Sequence, residues 1–134
     1  MRLIAVLFCL LLVTACDDGP AGPTVGFDEQ VTLAPGNTAR VNGSDVRLQF
    51  VGVSADSRCP LGVFCIQAGE AVVQIRASGG GATTTYDLHT GDANRAGASH
   101  GDVRFTLAQL APFRTASGTI AASDYRATLE ISRP

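Results

Sequence analysis

From Phe27 to the end of the chain, apolar and polar residues alternate with a period of two in one segment after another. The clearest segments are residues 46–50, 71–77 and 125–131, in which every second residue is apolar. Successive side chains of a β-strand point to opposite faces of a sheet, so this pattern predicts strands with one buried and one solvated face. No stretch after the N-terminal segment has a sustained period of 3.6, which indicates an all-β fold.

Turn-forming sequences separate the predicted strands, and they include residues 34–37 (APGN), 42–45 (NGSD) and 78–81 (SGGG). Their spacing predicts about seven strands in a single antiparallel β-sandwich, Ig-like, or in a partly open barrel. The apolar positions change phase across Gly52, which indicates a β-bulge or a strand that passes from one sheet to another. Residues 90–102 are polar and glycine-rich and are predicted to form a loop.

The N-terminus has the pattern of a targeting segment. Arg2 precedes an uncharged apolar run at residues 3–13, which is too short for a membrane span and is typical of a signal peptide. The following residues resemble the lipobox of bacterial lipoproteins, Val13-Thr14-Ala15-Cys16. That resemblance implies a signal peptide at 1–15 that is removed, a lipidated Cys16 with a flexible tether at 16–26, and a β domain at 27–134. The alternative is an ordinary secretory signal that is cleaved elsewhere.

The remaining cysteines are interpreted in the light of this processing. Cys9 lies in the segment that would be removed, and Cys16 would carry the lipid, which leaves Cys59 and Cys65. Two cysteines left over in an oxidising envelope are predicted to form a disulfide bond. The alternative is a redox-active pair, but such pairs usually have the C-x-x-C spacing, whereas five residues intervene here. We expect Val63 and Phe64, inside the ring, to cover one end of the core.

The charge balance bears on the class of partner. The chain has 10 basic and 12 acidic residues, and Arg2 would leave with the signal peptide, so the mature chain is mildly acidic. Nucleic-acid binding normally needs a basic stripe, so no nucleic-acid partner is expected. The chain also lacks a polybasic patch, and attachment to a membrane is therefore expected to come from the N-terminal lipid.

The segment around the two cysteines reads DSRCP-x-G-V-x-C-x-x-A-G-E-A over residues 56–71. It is similar to a segment that recurs in small bacterial envelope lipoproteins. Those proteins similarly end in a strand such as Tyr-x-Ala-x-Leu-x-Ile, here residues 125–131, and the resemblance covers most of residues 27–131. Relatives often have Trp directly before the Ala-Gly pair, where this chain has Gln67. The resemblance implies a lipoprotein of the envelope and brings no assigned activity.

Catalytic and metal-binding readings find little support in the sequence. There is no G-x-S-x-G motif, and a zinc site built from the two cysteines with His89 and His100 would lack the close ligand pairs that such sites prefer. His89 is predicted on the outward face of its strand and His100 in the loop, both solvated. We therefore expect no enzyme activity, no cofactor and no metal.

The sequence favours a binding or interaction module, anchored in the bacterial cell envelope and facing the periplasm or the cell surface. Its partner would be an envelope protein or a small ligand. Loops on rigid β scaffolds commonly carry recognition, so we expect the contact surface at the disulfide ring and residues 90–102. The candidate residues near the cysteines are Arg58, Leu61, Val63, Phe64 and Gln67. The alternatives are an inhibitor of an envelope hydrolase, such as a protease or lysozyme, and, less favoured, a metal-binding protein that uses His89 and His100.

Overall fold

A computed structural model describes residues 22–134 of the 134-residue chain. The predicted signal peptide, Cys16 and the first part of the tether lie outside the described residues. The described part contains nine strands and two 3-10 turns: β1 Thr24–Val25, β2 Glu29–Leu33, β3 Thr38–Val41, β4 Arg47–Asp56, β5 Ala71–Gly79, β6 Ala82–His89, the turn Ala93–Arg95, β7 Gly97–His100, β8 Val103–Ala111, the turn Ala122–Asp124 and β9 Arg126–Ser132. Among these residues, no helix is long and apolar enough to cross a bilayer.

The strands form two separate sheets. One has five strands in the order β1-β3-β4-β5-β6, and the other has four in the order β2-β9-β8-β7. Neighbouring strands are antiparallel except for β1 and β3, which are parallel. This arrangement confirms the predicted β-sandwich.

The core lies between the two sheets and consists of the alternating apolar residues of the sequence. β5, β9 and most of β8 contribute every second side chain, as the period of two predicts, whereas β4 does so only as far as Phe50 and β6 buries only Leu88. The largest of these fully buried side chains are Phe50, Phe105, Leu33, Leu48, Ile75, Leu88, Leu129 and Ile131. This core fixes the register of the strands, because a shift by one residue would turn each strand's apolar set toward solvent.

The prediction of a loop at residues 90–102 is wrong in part, because these residues include the strand β7. β7 pairs with the start of β8, and Gly97 lies opposite Thr106. A Cβ atom on Gly97 would lie only 2.8 Å from the Thr106 hydroxyl, so the absence of a side chain permits the close approach. The residues Gly97, Ala98 and Ser99 carry no apolar alternation, and pattern analysis therefore missed the strand.

The change of phase at Gly52 is a bulge. The pairing of β4 with β5 shifts register between Phe50 and Gly52 and again between Val53 and Ala55. β4 stays in one sheet throughout, so the alternative of a strand that changes sheets is wrong. Bulges bend and twist a strand, and both register shifts of β4 lie shortly before the cysteine segment.

The two ends of the sandwich differ, and we name them by their connections. The ring end is where β4 and β8 finish and β5 and β9 begin, so it carries the connections 57–70 and 112–125. The far end carries the turns at 42–46, 80–81 and 101–102. These names are used below.

Candidate binding surface at the ring end

The connection from β4 to β5 continues the antiparallel pairing beyond the sheet. The amide of Ser57 donates to the Glu70 carbonyl at 2.8 Å, and the amide of Cys59 donates to the Ala68 carbonyl at 2.8 Å. The Ser57 hydroxyl accepts from the Glu70 amide at 3.1 Å and lies 3.0 Å from the Glu70 carbonyl oxygen, to which it donates. Gly69 has a φ of +65°, and a Cβ atom there would collide with the Ser57 carbonyl oxygen. The segment is therefore a rigid extension of the ladder.

The disulfide ring closes the tip of this extension. Cys59 and Cys65 are bonded, with their Cα atoms 6.0 Å apart, which confirms the predicted disulfide. Inside the ring, the Val63 amide donates to the Pro60 carbonyl at 3.2 Å. Gly62 occupies the third position of this turn with a φ of +75°, the conformation that a type II turn requires there.

A second segment, which follows β8, supports the ring from the side. The amide of Leu61 donates to the Arg114 carbonyl at 2.8 Å, and Leu61 forms an isolated parallel bridge with Thr115. The Arg114 guanidinium in turn donates to the Arg58 carbonyl at 2.9 Å. The ring is thus held at its base by the β4–β5 ladder and along one side by the connection between β8 and β9.

A polar network joins the base of the ring to the sandwich. Asp56 and Arg58 form an ion pair in which Nη2 lies 2.7 Å and Nε 2.9 Å from the carboxylate, and the Tyr125 hydroxyl donates to it at 2.9 Å. The Arg58 guanidinium also donates to the carbonyl oxygens of Leu110 at 2.9 Å and Pro112 at 3.0 Å. Two strands and both ring-end connections therefore meet at one carboxylate and one guanidinium.

The network shifts the pKa values of its members. Burial opposes ionisation of Asp56, but hydrogen bonds from Arg58 and Tyr125 outweigh it and hold the pKa of that carboxyl below its ordinary value. The hydrogen bond to Asp56 raises the pKa of Arg58. Burial, followed by the hydrogen bond to Asp56, raises the pKa of Tyr125. At neutral pH the pair is therefore fully charged and Tyr125 is a neutral donor.

Arg58 was predicted as a candidate recognition residue, but its side chain is mostly buried and forms hydrogen bonds within the protein. Its side chain is 14% exposed, and its guanidinium already donates to Asp56, Leu110 and Pro112. The sequence could not reveal the two carbonyl acceptors, which lie 52 and 54 residues further along the chain. Arg58 positions the ring and offers little to a partner.

Exposed apolar residues cluster at the ring. We call five of them the apolar tip: Leu61, Val63, Phe64, Ile66 and Phe113. Phe64 and Ile66 are fully exposed, at 100% and 101% of their reference areas. The expectation that Val63 and Phe64 cover the core is therefore wrong. The extended ladder carries the ring beyond the sheets, and Leu110 and Tyr125 are the buried residues beneath it.

The other predicted contact residues are all exposed, but they lie at two places on the ring end. Leu61, Val63 and Phe64 lie together on the apolar tip, and Gln67 is exposed on the returning side of the extension. Pattern analysis missed two residues of the tip, Ile66 and Phe113. Both are apolar residues outside any alternating segment, and that is the signal that could have identified them.

A cleft of about 310 Å³ opens beside the tip. Leu107, Leu110 and Phe113 give it an apolar lining, whereas His89 and Gln109 add polar groups. The cleft therefore joins the exposed Phe113 to the end of β6, where the segment 90–96 begins.

His89, which lines the cleft, belongs to a group of ionisable residues that contact one another. His89 Nδ1 lies 3.1 Å from Glu70 Oε1, and the Arg95 guanidinium lies 3.2 Å from His89 Nε2. Arg95 also donates to Asp92 at 2.8 Å. The His89 side chain is only 14% exposed, so the prediction of a solvated histidine is wrong. The partners that shield it come from the end of the connection 57–70 and from residues 90–96.

His100 was also predicted to be solvated, and it is buried. Its ring nitrogens lie 3.1 Å from the Tyr86 hydroxyl and 3.2 Å from the Gly79 carbonyl oxygen. His89 lies opposite Val72 at one end of β5, and His100 contacts Gly79 at the other end. Val72 and Gly79 are about 23 Å apart along the strand, at 3.3 Å per residue. The two histidines do not come together, and residues 22–134 contain no group of three His, Cys, Asp or Glu side chains that could hold a metal ion.

No protein-family model matches the chain, and neither does any curated protein or solved structure. The chemistry of the ring end must therefore indicate the function. Within residues 22–134, every buried polar side-chain atom has a hydrogen-bond partner. The ring end presents exposed apolar side chains on a support held by hydrogen bonds and a disulfide, and burial of apolar area of this kind favours association.

Proposed function

We propose that this chain is a lipid-anchored binding module of a bacterial cell envelope and that the ring end is its contact surface. Cys16 would carry the acyl chains, as the lipobox pattern implies, and the β-sandwich would present the apolar tip. The observation that supports this proposal most strongly is the complete exposure of Phe64 and Ile66 on a braced ring.

Exposure of these side chains is costly unless a partner covers them. Burying a Phe or Ile side chain contributes about 1.5 to 3 kcal/mol, and the chain forgoes this contribution at both positions. Single exposed apolar residues are common on proteins, but a cluster on one projecting element is typical of an interaction site. All the exposed large hydrophobic residues between 22 and 134 belong to the apolar tip.

The rigidity of the ring favours binding as well. Ordering a flexible loop on association costs free energy, whereas a loop that is already ordered avoids this cost. The disulfide, the ladder through Cys59 and the contact of Leu61 with Arg114 order the ring in advance. The tip can therefore bury its apolar area in a partner at little conformational cost.

Support for binding over catalysis comes from the ionisable groups near the tip. Asp56 is paired with Arg58, and Glu70 with His89. A general acid or base needs a proton donor or acceptor that faces the reactant. Here the groups face one another and serve the scaffold.

Two measurements test the proposal. Intact-mass analysis of protein from native membranes should show acyl mass on a chain that begins at Cys16. A photoreactive amino acid at Ile66 should form adducts in living cells, whereas the same group at Thr83, at the exposed far end, should form few. Acylated protein that gives equal adducts at both positions would contradict the assignment of the ring end.

Inhibition of an envelope hydrolase is a second candidate, and the projection of the ring beyond both sheets favours it. A short disulfide-closed loop with Phe64 at its tip has the shape needed to enter an active-site cleft. Purified protein should then inhibit a protease or lysozyme at micromolar concentration, and Phe64→Ser should abolish the inhibition. Absence of inhibition across a panel of envelope hydrolases would eliminate this candidate.

A further inference from the structure

We propose that the apolar tip is a second membrane contact, through which Phe64 and Ile66 enter the interface of the bilayer that holds the acyl chains. This inference rests on the proposed function, because it requires an anchored N-terminus, and it names the partner of the ring end as the lipid surface. Four features of the chain lead to it.

The first feature is the direction in which the chain enters the sandwich. β4 runs toward the ring, β3 is antiparallel to β4, and β1 is parallel to β3. β1 therefore runs away from the ring end. Gly22 and Pro23 therefore lie on the side of β1 that faces the ring end, and the chain enters β1 heading away from the apolar tip.

The second feature is the reach of the tether. Cys16 precedes Gly22 by six residues, which span about 20 Å at full extension. Gly22 lies against Thr38, which pairs with Gln49, and Asp56 at the ring base is about 23 Å further along β4 at 3.3 Å per residue. The tether would hold Gly22 within about 20 Å of the anchor, and the ring projects beyond Asp56, so a sandwich tilted toward the bilayer can bring the tip to the membrane surface.

The third feature is the difference between the two ends. The exposed large hydrophobic residues within 22–134 lie in the ring and its supporting segment. The far end presents polar and glycine residues, which include Asn42, Ser44 and Thr83. A tether of this length would also allow the far end to face the membrane, but the described residues of that end offer no exposed apolar cluster to the lipid.

The fourth feature is the low polarity of the ring. Residues 59–69 contain no charged side chain. The amides of Cys59, Leu61 and Val63 donate to carbonyl groups within the ring end. Moving a loop into the bilayer interface is unfavourable when it carries charges or unpaired amides, so the absence of charge from residues 59–69 and these three hydrogen bonds lower the cost.

The absence of tryptophan from the natural sequence permits a direct test. Phe64→Trp places a single fluorophore on the tip, and Thr83→Trp places a matched one on the exposed far end. The full acylated protein is reconstituted into phosphatidylcholine vesicles with or without brominated acyl chains. Bromolipid should reduce the emission of the tryptophan at position 64 about twofold, since interfacial side chains reach the acyl boundary, and leave that at position 83 nearly unchanged.

The outcomes separate the two proposals. Acylated protein in which the two tryptophans are quenched equally overturns the lipid contact and leaves the anchor intact. Protein that carries no acyl mass overturns both. A tryptophan at position 64 that bromolipid does not quench, but that envelope proteins shield from aqueous acrylamide, assigns the tip to a protein partner and also overturns the lipid contact. Ile66→Trp provides a second probe of the same surface if the first variant does not fold.

Discussion

Replacement of Asp56 by Asn tests whether the polar network holds the ring to the sandwich. The change keeps the size of the side chain and removes its charge. The wild-type carboxylate accepts hydrogen bonds from the Arg58 amide and guanidinium and from the Tyr125 hydroxyl. An amide presents one oxygen in place of two and turns a donor toward groups that are themselves donors.

The expected loss of stability follows from burial. The side chains of Asp56 and Arg58 are 8% and 14% exposed. Removal of one partner from a fully buried pair costs about 3 to 5 kcal/mol, and partial access of water lowers this to about 2 to 4 kcal/mol here. For a domain of this size, the melting temperature should fall by roughly 10 °C.

Urea unfolding at pH 7 with the disulfide intact, followed by far-ultraviolet circular dichroism, measures the loss. Asp92→Asn is the matched control, because Asp92 also lies 2.8 Å from an arginine, but that pair is largely exposed. The control should lose much less stability than Asp56→Asn, since exposed pairs contribute little. Equal losses in both variants would refute the assigned role of burial.

The pH dependence provides a second check on Asp56. The pKa of its carboxyl is lowered on folding, so the ionised form stabilises the fold at pH values above the unfolded value of about 3.9. This contribution is lost as the pH falls through the lower, folded pKa. The difference in stability between wild type and Asp56→Asn should therefore be constant from neutral pH down to about pH 5 and shrink below about pH 4. A difference that stays constant into strong acid would contradict the reasoning.

Three further changes test the ring. Gly69→Ala should cost at least about 2 kcal/mol in urea unfolding, because it combines a positive φ with a collision against the Ser57 carbonyl; a neutral result would mean that the ladder is not rigid there. Replacement of both Cys59 and Cys65 by Ser should cost about 2 kcal/mol, the value for so short a loop, and leave the circular dichroism of the sandwich unchanged; loss of the strand signal would show that folding requires the bond. Phe64→Ser should change stability by less than about 0.5 kcal/mol, since the side chain is fully exposed; a larger loss would place it in the core.

The sandwich could be predicted because the patterns that specify its strands lie within short stretches of sequence. In β5, Ala71, Val73, Ile75 and Ala77 face the core as the alternation predicts, and all are fully buried. The turn sequences punctuate these strands, and the disulfide follows from the number and placement of cysteines. A periodic pattern and a cysteine count can be read without knowledge of distant contacts.

The direction in which the ring points could not be predicted, because it depends on contacts between residues that are distant in the sequence. Residues 57–70 have no alternation, so nothing local states whether Phe64 faces the core or the solvent. Its direction depends on the two bulges of β4 and on the bonds from Arg58 to carbonyl groups more than fifty residues away. His100 was misplaced in the same way, since its burial depends on Tyr86 and Gly79 in other strands.

The ring end must both fix the position of the ring on the sandwich and keep the apolar side chains of the ring exposed. A single hydrophobic cluster could not do both. An apolar ring base would compete with the tip for the core, and Phe64 would gain stability by folding inward. The charged pair of Asp56 and Arg58, with its fixed donors and acceptors, instead defines one position for the ring and leaves its carbon surface outside. Changes at the base should therefore lower stability first and weaken the proposed membrane contact second, whereas changes at Phe64 and Ile66 should weaken the proposed membrane contact alone.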